Sequence, residues 1–128
     1  MEVLSSRILL RPTDAERSRR FYRDTLGLAV YREFGPPDDP GLVFFLGNGF
    51  LEVSGHDPRP PGGSPAIFMQ VRDVRAEHAR LHAAGVTVTR EPRREHWGLI
   101  EMWIEDPDGV RIVLVEVPDD HPLRRDSR

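Results

Sequence analysis

Asp106-Pro107-Asp108-Gly109-Val110-Arg111-Ile112-Val113-Leu114-Val115-Glu116 decides how this chain is read, because it repeats in outline Gly47-Asn48-Gly49-Phe50-Leu51-Glu52-Val53. Each is a tight turn feeding a short strand. Ahead of each lies a matching run of strand, helix and glycine stop: Ile8-Leu9-Leu10 to Leu26-Gly27-Leu28, then Ile67-Phe68-Met69 to Ala84-Gly85-Val86. The chain therefore reads as one module written twice. Two such modules closing on each other leave a concave sheet face, and small molecules bind in concave apolar hollows.

Working outward, period-two alternation makes 3–11 a strand, with Ile8 and Leu10 on one face and Arg7, Leu9 and Arg11 on the other. Thr13-Asp14-Ala15-Glu16 has capping-box spacing, so a helix begins there, turns Phe21, Tyr22 and Leu26 inward and stops at Gly27. Strands follow at 28–34, 42–46 and 50–54. The Pro/Gly-rich stretch 57–64 has no periodicity and reads as the connector. The second module repeats the order: strand 66–71, helix 73–84 with Asp73 as N-cap, then strands near 86–89, 99–105 and 110–117. This gives an α+β class, two paired βαβββ modules (3–56 and 65–117) in a single domain over 1–117, with a polar tail at 118–128.

Composition narrows the function. The chain has 128 residues, too few for two independent domains with a linker, and its 38% hydrophobic and 30% charged residues suit a globular fold. All 18 basic residues are Arg and stand against 21 acids, for a net charge of -3. That balance argues against nucleic-acid and membrane partners. No Cys is present, so disulfides, thiolate metal sites and cysteine nucleophiles are excluded, and a cytoplasmic location is the simplest expectation. No Gly-rich phosphate loop, serine elbow or HExxH helix occurs.

At this point the residues resemble a known family. Phe21-Tyr22-Arg23-Asp24-Thr25-Leu26-Gly27-Leu28, Glu91-Pro92 followed by Trp97-Gly98, and Asp106-Pro107-Asp108-Gly109 with Glu116 are similar to the vicinal-oxygen-chelate superfamily, which includes glyoxalase I, bleomycin-resistance proteins and extradiol dioxygenases. The resemblance covers about 4–117. It implies a cup of curved mixed sheet with helices on the convex side, and a homodimer as the expected assembly. In metal-dependent members the ligands lie on the first and fourth strands of each module. Those places are Arg7 and Glu52, then Ala66 and Val113, in this chain. Only Glu52 is a metal donor among them, and Arg7 is a permanent cation. The chain is closest to metal-free, bleomycin-resistance-like members, with no cofactor expected.

Alternation then selects the residues that face the cup. They are Arg7 and Leu9 on the first strand, Phe50 and Glu52 on the fourth, and Phe68 and Gln70 on the fifth. Glu101 and Trp103 on the seventh and Arg111 and Val113 on the eighth join them. A lone buried Glu52 is costly, so Arg7 pairs with it, or Glu101 and Arg111 complete a small network. Trp103 is a candidate stacking surface, with core or dimer packing as the alternative. Trp97, in the loop before the seventh strand, is a candidate lid or simple turn packing.

The remaining candidates are weaker. His78 and His82 stand four apart on the second helix without an evident third ligand. His56 and His96 are loop residues able to act as a general base. Asp106 and Asp108 are explained by turn chemistry rather than metal binding. The expected function is metal-free binding of a planar or amphipathic small molecule. The alternative is a lyase, isomerase or dioxygenase-like enzyme using Glu52 or Glu101 with an atypical or absent metal, burial raising the pKa of the carboxyl that acts. A third possibility is a structural module whose cup is filled by its own side chains. Whether the cup forms within one chain or across a dimer stays open.

Overall fold

The computed structural model describes residues 1–122, organised as two compact units, Met1–Pro61 and the remainder from Gly62. The boundary falls inside the expected connector. The class is α+β: each unit is a four-stranded mixed sheet carrying one helix.

In the first unit, β1 (Ile8–Leu10) lies parallel to β4 (Gly49–Val53), and β3 (Gly41–Leu46) joins β4 to the edge strand β2 (Val30–Phe34). Pairing sets Leu9 opposite Glu52, and Glu52 opposite Val43. One sheet face therefore carries Leu42, Phe44, Leu51 and Val53, all buried. Helix α1 (Ala15–Arg20) leads toward this face and continues into a π-helical turn, Phe21–Thr25. The turn brings Tyr22 into the core, its ring 6.3 Å from that of Phe44. Asp14, not Thr13, caps α1, its carboxylate accepting from Arg17 N at 3.1 Å. Leu26 is half-buried rather than fully inward, and Gly27 ends the segment at φ 76°, where a glycine avoids the Cβ clash.

In the second unit, β5 (Ala66–Gln70) lies parallel to β8 (Arg111–Glu116), followed by β7 (Ile100–Glu105) and the edge strand β6 (Val88–Arg94). Ile67 opposite Ile112 repeats Ile8 opposite Leu51, so the duplication read in the sequence is present in the strand pairing. The core holds Ile67, Met102, Ile104, Ile112 and Leu114 under α2 (Val74–Ala83), which contributes Val74 and Leu81. Asp73 caps α2 through Ala76 N at 3.0 Å, and the Glu116 carboxylate accepts from Val74 N at 3.0 Å. A strand residue thus satisfies one of the free N–H groups at the helix start.

Two strands, β1 and β6, depart most from the expected boundaries. β1 is only three residues long, and Val3 and Leu4 are exposed, because the β1–β4 register carries them past Gly49, where β4 begins. β6 runs on to Arg94 through Pro92, which sits where the register shifts between Arg90 and Arg93. A proline lacks the N–H of a ladder residue, and an edge strand with a bulge tolerates it. The Asp106 turn is built as expected: Asp106 Oδ1 accepts from Asp108 N at 2.8 Å and Val110 N at 2.9 Å, with Gly109 at φ 80°.

Pro118 to His121 folds over the β6–β7 loop, His121 Nε2 lying 3.0 Å from Trp97 O. The expected tail residues Arg124 and Arg125 lie outside the described residues. No helix among the described residues is long and apolar enough to cross a membrane.

Candidate functional site

The face of the first sheet opposite α1 is where Glu52 points. Its Oε1 accepts from Arg7 Nη1 at 2.9 Å, and its Oε2 accepts from Ser54 Oγ at 2.6 Å and from Arg11 Nη1 at 3.4 Å. Arg11 Nη1 also donates to Ser54 Oγ at 2.7 Å. The expected Arg7–Glu52 pair is present, inside a larger network. Glu52 has only 12% of its side chain exposed, against 37% for Arg7 and 46% for Arg11. The buried carboxylate is therefore fully satisfied, and the two cations reach water.

This environment sets the acidity of Glu52. The Ser54 hydrogen bond, then those of Arg7 and Arg11, hold its carboxyl below the usual carboxylate range despite the opposing effect of burial. The expectation of a raised pKa is thus corrected. A carboxylate so stabilised in its ionised form is a weak base and no proton donor near neutrality.

Beside this cluster, Tyr31, Phe45 and Phe50 form an aromatic patch with ring centroids 4.8 to 5.9 Å apart. Tyr31 and Phe45 are 51% and 46% exposed. Phe50 was legible from alternation. Tyr31 was not, because a bulge between Val30 and Arg32 breaks the period-two count on β2. Arg11 and Ser54 follow Arg7 and Glu52 by four and two residues, so the same alternation carries the signal for them.

In the second sheet, the face opposite α2 holds Ala66, Phe68, Gln70, Trp103 and Arg111. Phe68 is 60% exposed and Gln70 is exposed beside it. Trp103 already has cationic neighbours: the guanidinium carbon of Arg90 lies 4.0 Å from its ring centroid and that of Arg111 lies 5.0 Å away. Its Nε1 is buried with no hydrogen-bond acceptor among the described residues. Any ligand stacking on this indole shares it with Arg90.

Glu101 and Arg111 do not form a network. The register sets Glu101 opposite Val115 and Arg111 opposite Glu105, four positions apart on the strand pair. Glu101 instead accepts from Trp97 Nε1 at 3.0 Å and lies 3.8 Å from Arg90, which also pairs with the buried Glu95. Burial, with Arg93 nearby, pushes the Arg90 guanidinium below its ordinary value while Glu101 opposes the shift. Trp97 is thus tied to the sheet by Glu101, with His96 edge-on at 4.5 Å. Arg90 and Glu95 were missed because β6 continues past the expected strand end at residue 89.

The histidines supply no site. His56 and His96 are exposed in loops. His78 and His82 have ring centroids 5.9 Å apart on α2, and no group of three His, Cys, Asp or Glu side chains able to hold a metal exists among the described residues. The positions used by metal-dependent relatives do not fit an ion here. Glu52 spends both oxygens on Arg7, Arg11 and Ser54, and Ala66 and Val113 carry no donor atoms.

Residues 5–114 match the family described as Glyoxalase/Bleomycin resistance protein/Dioxygenase superfamily. A lactoylglutathione lyase of Haemophilus influenzae is 31% identical over 127 residues, covering 91% of this chain and 93% of the relative. Among solved structures, a superfamily member from Sphaerobacter thermophilus has a TM-score of 0.74 at 26% identity, covering 90% of this chain and 98% of that one. TnmS3, an antibiotic-binding protein from Streptomyces sp. CB03234, has a TM-score of 0.74 at 25% identity, covering 91% and 98%. On the matched residues and the repeated βαβββ order together, the chain belongs to the glyoxalase/bleomycin resistance protein/dioxygenase superfamily.

Proposed function

We propose that this protein is a metal-independent binder of a planar or amphipathic small molecule rather than a metal-dependent lyase. One observation carries the reading: the single carboxylate at the family's metal positions is engaged by Arg7, Arg11 and Ser54. A divalent ion at Glu52 would have to displace two guanidiniums that repel it, with no second donor from Arg7, Ala66 or Val113. The exposed rings of Tyr31, Phe45 and Phe68 support the ligand class, because aromatic faces take up flat apolar surface. The antibiotic-binding activity named for TnmS3 agrees with it. We further propose a homodimer as its assembly.

The test is a thermal-shift screen of planar aromatic compounds in the presence of a chelator, run beside a lactoylglutathione-formation assay with and without added nickel or zinc. The reading expects stabilisation by at least one aromatic compound with chelator present, and no metal-stimulated activity. Activity that appears on adding nickel or zinc and disappears with chelator would overturn it.

A further inference from the structure

We infer that the first unit's sheet face is a receptor for an aromatic oxyanion, a flat ring bearing a carboxylate or phosphate group. This rests on the small-molecule-binding reading and narrows the class of ligand. Three features converge on it.

The first is charge. Arg7 and Arg11 share one carboxylate, Glu52, so two cations face one anion and a positive charge is left over. The second is unused donors. A guanidinium has five N–H groups. Arg7 uses Nη1 on Glu52, and Arg11 uses Nη1 on Glu52 and on Ser54; among the described residues neither spends its other nitrogens on the protein. Both side chains are more than one third exposed, so these donors are available to a solute. Glu52 and Ser54 hold the forks in place beforehand, which lowers the entropy lost when an oxyanion is gripped.

The third feature is distance. Arg7, Leu9 and Arg11 share one face of the first strand region, and the register that sets Leu9 opposite Glu52 brings Arg7 to the level of Phe50. Phe50 is paired with Phe45 on the next strand. From the Arg7 strand to Phe45 is two strand spacings, roughly 10 Å. That span fits an anionic group joined directly to a fused aromatic ring, the oxyanion on Arg7 and Arg11 and the ring on Phe50, Phe45 and Tyr31. Where metal-dependent relatives present acceptors to a cation, this chain presents donors to an anion.

Isothermal titration with naphthoate, naphthyl phosphate and neutral naphthalenemethanol, at low and high salt, tests this. One or both anions should bind about tenfold or more tighter than the alcohol at low salt, and lose that advantage at high salt. The better of the two anions identifies carboxylate or phosphate as the preferred group. Arg7→Gln and Arg11→Gln should each weaken anion binding about tenfold and leave the alcohol nearly unchanged, while Phe50→Ala weakens all the ligands. Should Arg7→Gln fail to fold, Arg11→Gln decides, since it leaves Glu52 held by Arg7 and Ser54. If the alcohol binds as well as the anions, or the arginine variants leave anion affinity intact, the oxyanion class falls and the broader binding reading stands. If neither anion binds, the inference is overturned.

Discussion

Glu52→Gln offers a quantitative check on the Glu52 cluster. The change keeps side-chain size and one acceptor oxygen but removes the charge. The bond from Ser54 Oγ, at 2.6 Å to a side chain only 12% exposed, is the strongest element lost. Charge-assisted bonds contribute about 1.5–3 kcal/mol and neutral ones about 1 kcal/mol. The contacts from Arg7 and Arg11 reach into water, so screening reduces each to a few tenths of a kcal/mol. The variant should therefore be about 1–2 kcal/mol less stable near neutral pH, measured by urea denaturation.

The pH dependence of that difference follows from the sign of the Glu52 shift. Its folded-state pKa is depressed below the ordinary 4.5, so the unfolded chain takes up the proton first as pH falls. The stabilisation is complete above about 4.5 and fades as pH drops through the lower folded value. The gap between wild type and Glu52→Gln should hold steady near neutrality and close in acid. A variant as stable as wild type near neutral pH, or a gap that persists in strong acid, would refute the reasoning.

Further outcomes follow from single contacts. Asp73→Ala removes the cap on Ala76 N and should destabilise the protein by about 1 kcal/mol in the same unfolding assay. Gly109→Ala places a Cβ on a residue at φ 80° and should cost about 1–2 kcal/mol, visible as a lower melting temperature. Trp97→Phe deletes the donor to the buried Glu101 and should cost about 1–2 kcal/mol, read by urea denaturation. Phe44→Ala empties the contact with Tyr22 and should cost about 3–5 kcal/mol, measured by calorimetry.

Much of this architecture was legible in the sequence because two signals are strictly local. Glycines at 27, 85 and 109 mark positive-φ stops and turns, and period-two alternation set Glu52, Phe68 and Gln70 apart from the buried Leu51, Val53, Ile67 and Met69. What alternation cannot report is where it is interrupted. The bulge at Tyr31 hid that ring, and the edge-strand bulge at Pro92 hid Arg90, the residue that binds Glu95 and covers Trp103. Strand length was misjudged at β1 for another reason: Val3 and Leu4 alternate correctly but fall past Gly49, where β4 begins. The link between Glu101 and Arg111 failed because shared facing does not fix register.

Metal content per chain tests the central claim most directly. Protein purified without chelator, incubated with excess zinc, nickel or manganese and then desalted, should retain far less than one ion per chain by inductively coupled plasma mass spectrometry. Retention of one ion per chain in wild type, abolished by Glu52→Gln, would show that Glu52 is a metal ligand and not the partner of Arg7 and Arg11.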